Sequence, residues 1–148
     1  MSSTSHEPGR DPRWELFPHA ADMGVRGYGG TLEEAFAQAA LALSAIVCDP
    51  GEVQPVEEVP IQCQAQDAEM LLVEWLNALI YAMAVRHLLF GRYQVQVEDG
   101  RLQATAYGEP VDRVRHQPAV EIKGATYTEL KVRQEPDGHW IAQCVVDV

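Results

Sequence analysis

Leu32, Phe36, Ala39, Leu43 and Ile46 recur at alternating spacings of four and three, which lines them along one face of an α-helix. Thr31-Leu32-Glu33-Glu34 opens that stretch as a capping box. The Thr31 hydroxyl would accept from the backbone N–H of Glu34, and the Glu34 carboxylate would reach back to that of Thr31. Asp49-Pro50-Gly51 stops it. A second helical stripe runs over about 68–85, with Leu72, Leu76, Leu79 and Met83 as its centre line and Trp75 and Ile80 on the flanks. Glu74, Asn77 and Tyr81 fall on the opposite side. Packing explains the first set, and the second is left without a role.

The other segments alternate with the period of a strand. Structure begins near Trp14, with short extended pieces at 14–17 and 25–28 around a loop at 18–22. Val59, Ile61, Cys63 and Ala65 alternate with polar residues, and Pro60 favours an edge strand because it lacks an N–H. Tyr93, Val95 and Val97 lead to Asp99-Gly100, a two-residue hairpin signal, and Leu102, Ala104 and Ala106 return from it. Residues 109–118 hold two prolines and read as a loop. A last hairpin pairs 121–134 with 139–148 around Pro136-Asp137-Gly138. This order predicts an α+β fold, two helices packed with mostly antiparallel sheets. Residues 1–12 lack periodicity and read as a flexible leader, leaving 13–148 as one domain.

Composition narrows the function classes. With 148 residues, 47% hydrophobic and 22% charged, the chain is of single-domain size and can bury roughly 70% of the surface its unfolded form exposes. Twenty-two acids against 11 Lys and Arg give a net charge of −11. A phosphate backbone would meet a repulsive average field, so direct nucleic-acid binding is disfavoured. Cys48, Cys63 and Cys144 are odd in number and lack C-x-x-C spacing, which argues against a disulfide framework and a structural zinc site and fits a reducing cytoplasm. The most apolar stretch, 71–90, is interrupted by Glu74, Asn77, Arg86 and His87, so no membrane span is expected.

Candidate chemistry is sparse. The glycines of 24–30 match neither phosphate-loop spacing, and turn or bulge glycines explain them better. Ser44, Cys48 and Cys144 lack a nucleophile context. His19, three residues before Asp22, is a ligand candidate or a donor that orients the carboxylate, and otherwise a hydrogen-bonded loop histidine. Asp147 is the penultimate residue of an apolar strand. Its carboxylate beside that of Val148 puts two anions together, which is costly without a cation or a basic partner. A solvated chain end is the alternative.

These segments together resemble the archease family from Trp14 to Val148. The blocks are W-E-L-F-P-H-A-A-D at 14–22, G-G-T-L-E-E-A-F at 29–36, L-L-V-E-W-L-N-A-L-I-Y at 71–81, E-I-K-G-A-T-Y at 121–127 and the terminal V-V-D-V. The resemblance implies an archease-like domain of two strand-helix-strand-strand modules, one inserted in the other. It also implies a non-catalytic protein cofactor of an RtcB-type RNA ligase in tRNA splicing and RNA repair, promoting ligase guanylylation and repeated turnover. The metal ligands it implies are Asp22, Asp147 and the terminal oxygen of Val148, with His19 and Lys123 as supporting or partner contacts. Such hard oxygen donors suit Ca²⁺ first, then Mg²⁺ or Mn²⁺. Two positions depart from the family pattern, Ala20 for a threonine and Gly124 for an alanine, and neither removes a ligand. Two other readings remain open: a small metal-dependent phosphoester hydrolase, and a metal-independent adaptor for RNA-modifying proteins.

Overall fold

A computed structural model describes residues 11–148; residues 1–10 of the expected leader lie outside the described residues. The chain opens with a hairpin of β1 (Arg13–His19) and β2 (Asp22–Gly29), followed by α1 (Leu32–Val47) and a short 3-10 turn at Pro50–Glu52. Next come β3 (Glu57–Gln64), α2 (Ala68–Arg86), β4 (Leu88–Glu98) and β5 (Arg101–Pro110). A one-turn helix α3 (Arg113–His116) and the strands β6 (Gly124–Ala125), β7 (Lys131–Gln134) and β8 (Trp140–Asp147) complete it.

Two antiparallel sheets result. One runs β1-β2-β8-β6, with β7 also paired to β8, and the other runs β3-β5-β4. The second sheet and α2 are one continuous strand-helix-strand-strand stretch, inserted between α1 and the closing strands of the first sheet. The α+β expectation and its nested arrangement therefore hold. β3 is an edge strand, as Pro60 required.

Each helix touches both sheets, so the two units share one core. Phe36, Ala39 and Leu43 of α1, Leu72, Trp75, Leu76 and Leu79 of α2, and Val25, Ala142, Cys144 and Val146 of the first sheet are buried in it. Met83, expected on the centre line of α2, is only half-buried. By length and composition α2 is apolar enough to cross a membrane, but Leu71, Leu72, Trp75, Leu76, Leu79 and Ile80 are buried in this core. The Trp75 indole N–H donates to the Phe36 carbonyl at 3.0 Å, tying the helices together. Hydrogen bonding of that polar tip is what lets a tryptophan be fully buried.

Four expectations need correcting. Residues 18–22 are not an open loop. β1 and β2 pair without interruption to His19↔Asp22, and the chain reverses through Ala20 and Ala21, with Ala20 at a φ of 52°. The capping box is half right. The Glu34 N–H donates to the Thr31 hydroxyl at 3.1 Å, but the Glu34 carboxylate accepts from Gly30 at 2.7 Å, one residue beyond Thr31. Gly30 lies just past β2, so its N–H has left the sheet ladder and needs an acceptor.

Residues 109–118 are not a plain loop either: β5 continues to Pro110, and the Asp112 carboxylate accepts from the N–H groups of Val114 and Arg115 to start α3. Finally, 121–134 is not one strand. Only 124–125 and 131–134 pair with β8. Between them the Thr126 hydroxyl donates to the Val145 carbonyl at 2.7 Å and accepts from the Thr128 N–H at 3.1 Å, while Glu129 takes a φ of 54°. That local hydroxyl turn competes with the ladder and wins.

Candidate metal centre

The site grows out of strand register. β2 and β8 pair with Met23 opposite Val146, and one further step along the same register sets Asp22 across from Asp147. His19 is paired with Asp22, and Asp147 with Gly124. His19, Asp22, Asp147 and Gly124 thus form one row across four strands. Residues opposite one another in antiparallel strands point to the same face, about 5 Å apart at Cβ. The alternate residues Val25, Cys144 and Val146 are in the core, so the acids occupy the other face of the sheet.

The Asp22 Oδ1 accepts from the Val148 N–H at 3.4 Å, a long contact that closes the end of the sheet. On the far side the Lys123 N–H donates to the Asp147 carbonyl at 2.8 Å. The five residues expected at the site therefore meet at one end of the first sheet. Asp147 is exposed, while Asp22 and Val148 are half-buried.

Arg26, on this face, is engaged elsewhere. Two rows away, the Arg26 guanidinium bonds the Glu15 carboxylate and the Gln143 side chain, and it stacks 4.4 Å from the centre of the Phe17 ring. The Phe17 ring lies so close over Gly24 that a Cβ there would fall 1.9 Å from it, so it stands between Arg26 and the acids. Arg26, joined by the Tyr28 hydroxyl at 2.7 Å, holds the Glu15 carboxyl below the usual carboxylate range. Among the described residues, Asp22 and Asp147 have no ion-pair partner.

Two carboxylates on adjacent strands, with no ion-pair partner among the described residues, are destabilising on their own. Their donor set fits a hard divalent ion, which accepts oxygen ligands and keeps positions for water. No group of three or more His, Cys, Asp or Glu side chains with metal-holding geometry occurs among the described residues. Side chains of the described residues would therefore offer an ion no more than this pair.

Three groupings escaped the sequence reading. The Glu15–Arg26–Gln143 ladder becomes legible only once the reversal is placed at Ala20 and Ala21, where no glycine or asparagine marks a turn. The second joins distant segments around Glu109. Its carboxylate pairs with Arg115, takes the Gln54 N–H at 2.6 Å and meets the His116 Nε2 at 3.1 Å. The third is Asn77, whose Oδ1 accepts from the Ala125 N–H at 2.9 Å.

An α+β chain with one module nested in another and an acidic pair at the open end of a sheet defines the class of fold seen here. The sequence profile of the Archease protein family matches residues 14–148. Protein archease of Pyrococcus furiosus is 41% identical over 140 residues, covering 92% of this chain and 99% of that protein. Protein archease of Methanosarcina acetivorans is 35% identical over 146 residues, covering 95% and 99%. The solution structure of Methanobacterium thermoautotrophicum protein 1598 superposes with a TM-score of 0.80 at 30% identity, covering 91% of this chain and 98% of that one. The chain belongs to the Archease protein family.

Proposed function

We propose that this protein is a non-catalytic, cytoplasmic cofactor of an RtcB-type RNA ligase, acting in tRNA splicing and RNA repair by promoting ligase guanylylation and multiple turnover. Family membership supports this reading, and the observation that carries it to particular atoms is the facing pair Asp22 and Asp147. These carboxylates, with the Val148 carboxylate, would hold a divalent ion, Ca²⁺ first and Mg²⁺ or Mn²⁺ next. Bound there, the ion would supply the positive charge that the acid pair lacks and a coordination position for an oxygen of the partner. His19 and Lys123 lie on either side of the two acids and would contact the ligase or orient the carboxylates.

The experiment is multiple-turnover ligation and ligase–GMP formation with the cognate ligase. Adding the wild-type protein should raise both, and Asp22→Asn or Asp147→Asn should remove the gain. Turnover that is the same with and without the wild-type protein would reject the cofactor role. Phosphate release from RNA or nucleotides by the protein alone, lost in Asp22→Ala, would point to a hydrolase instead. A chain extension after Val148 should weaken cation binding while an extension at the N-terminus should not; equal affinities would remove the Val148 carboxylate from the ligand set.

A further inference from the structure

We infer that Asn77 is a positioning residue for the acidic row, holding the strand β6 against Asp147 from the side of α2. This rests on the metal reading of Asp22 and Asp147 given above. β6 is only Gly124–Ala125, and it pairs with Asp147 and Val146. Two residues of ladder hold a strand weakly, and the segments on either side of β6 are a loop and the Thr126 turn. β6 is also at the edge of its sheet, so a backbone N–H turned away from β8 has no strand to take it.

The Ala125 N–H is such a group. The Asn77 Oδ1, projecting from the middle of α2, accepts it at 2.9 Å and closes the sheet edge with one side chain. The consequence passes directly to Asp147. Its carbonyl takes the Lys123 N–H at 2.8 Å, and its partner across the ladder is Gly124. On the β2 side the last contact is the long 3.4 Å bond from Val148 to Asp22. The lateral position of Asp147 thus follows that of β6, and Asn77 adds a tie from β6 to α2 to the bonds that Lys123 and Thr126 make to β8. Asparagine suits the place because its short side chain offers a carbonyl oxygen that accepts.

Asn77→Leu removes the acceptor while keeping the number and branching of side-chain heavy atoms, and leucine is the better helix former, so α2 itself is not weakened. Titrating Ca²⁺ into the full-length protein by calorimetry, this variant should bind about tenfold more weakly than wild type, the loss typical when a group supporting a metal ligand is removed. Asn77→Asp keeps an acceptor oxygen and should retain wild-type affinity or exceed it. Hydrogen exchange of the Ala125 and Lys123 amides should speed up about tenfold in Asn77→Leu, the size of one lost hydrogen bond of about 1.4 kcal/mol, and stay slow in Asn77→Asp. Equal Ca²⁺ affinity of Asn77→Leu and wild type, or unchanged exchange at both amides, would overturn the inference. If wild type binds no Ca²⁺, Mg²⁺ or Mn²⁺, the metal reading fails by itself, and the exchange rates still decide whether Asn77 holds β6 against Asp147.

Discussion

Glu109 shows how a single carboxylate joins segments far apart in the chain. Hydrogen bonding first to the Arg115 guanidinium and then to the Gln54 N–H pulls its pKa down to about 2 from an ordinary 4.5. The Asp112 N–H donates to His116 Nδ1 at 2.9 Å, so the His116 proton is on Nε2, directed at Glu109. A carboxylate whose pKa is lower folded than unfolded stabilises the fold fully above the unfolded value and loses that contribution as pH falls toward the folded one. Glu109 should therefore steepen acid destabilisation between about pH 4.5 and pH 2. Melting midpoints recorded across that window should fall less steeply for Glu109→Gln, from a lower starting value at pH 7. Parallel curves would show that the carboxylate contributes nothing specific. The opposite case is the acidic row. With chelator present, Asp147→Asn relieves a like-charge pair and should stabilise the protein by about 0.2–1 kcal/mol, while cancelling any rise in midpoint on adding Ca²⁺. A lower midpoint in chelator would mean that the acids are neutralised by something within the chain.

Elements are positioned by backbone contacts that leave no room for side chains. A Cβ on Gly27 would lie 2.2 Å from the Ala35 carbonyl oxygen and 2.3 Å from the Ala39 nitrogen, so α1 rests directly on β2 at this glycine. Neither atom can swing aside. Gly27→Ala should cost at least the roughly 1–3 kcal/mol of an overpacked core, read from urea unfolding at constant m-value. Gly124→Ala is the control: a Cβ there meets only the Asn77 Oδ1, at 3.6 Å, and stability should change by no more than about 0.5 kcal/mol. Both helices were legible from periodicity, since Leu32–Val47 and Ala68–Arg86 combine an apolar stripe with a cap at each start. So was the turn at Asp99 and Gly100, both at positive φ. Residues 111–130 were not. Their course is set by Asp112, Thr126 and Glu109 side chains bonding to particular backbone or distant groups, and such bonds have no period to detect.

For the molecule as a whole, the pairing that matters most is also the one least visible in the sequence. β2 and β8 are separated by more than 100 residues, and a local pattern says that each is a strand without saying that they meet. Asp22 and Asp147 became a pair on the sequence only through resemblance to a family; register then gave a physical reason for it. The nested unit lies between them in the chain, so the fold has to accommodate that unit for the two acids to meet. Two arrangements satisfy this order. In one, residues 57–110 would fold as a separate body whose unfolding leaves the first sheet intact. In the other, the shared core makes the two units a single cooperative structure. The contacts favour the second, because α1 packs on β2 and β4 alike and α2 reaches β6 and β8, while the Trp75 indole is bonded to α1. Losing either sheet would strip one side from both helices. Amides in β5 and in β8 should therefore exchange through the same global opening, with equal free energies and equal denaturant dependence. A Ca²⁺ ion held by Asp22 and Asp147 should raise both by the same amount, since a ligand of the native state stabilises the whole cooperative unit. Protection that rose in β8 alone would divide the molecule at the boundary between its sheets, and would make the nested unit a passenger rather than part of the scaffold that brings Asp22 and Asp147 together.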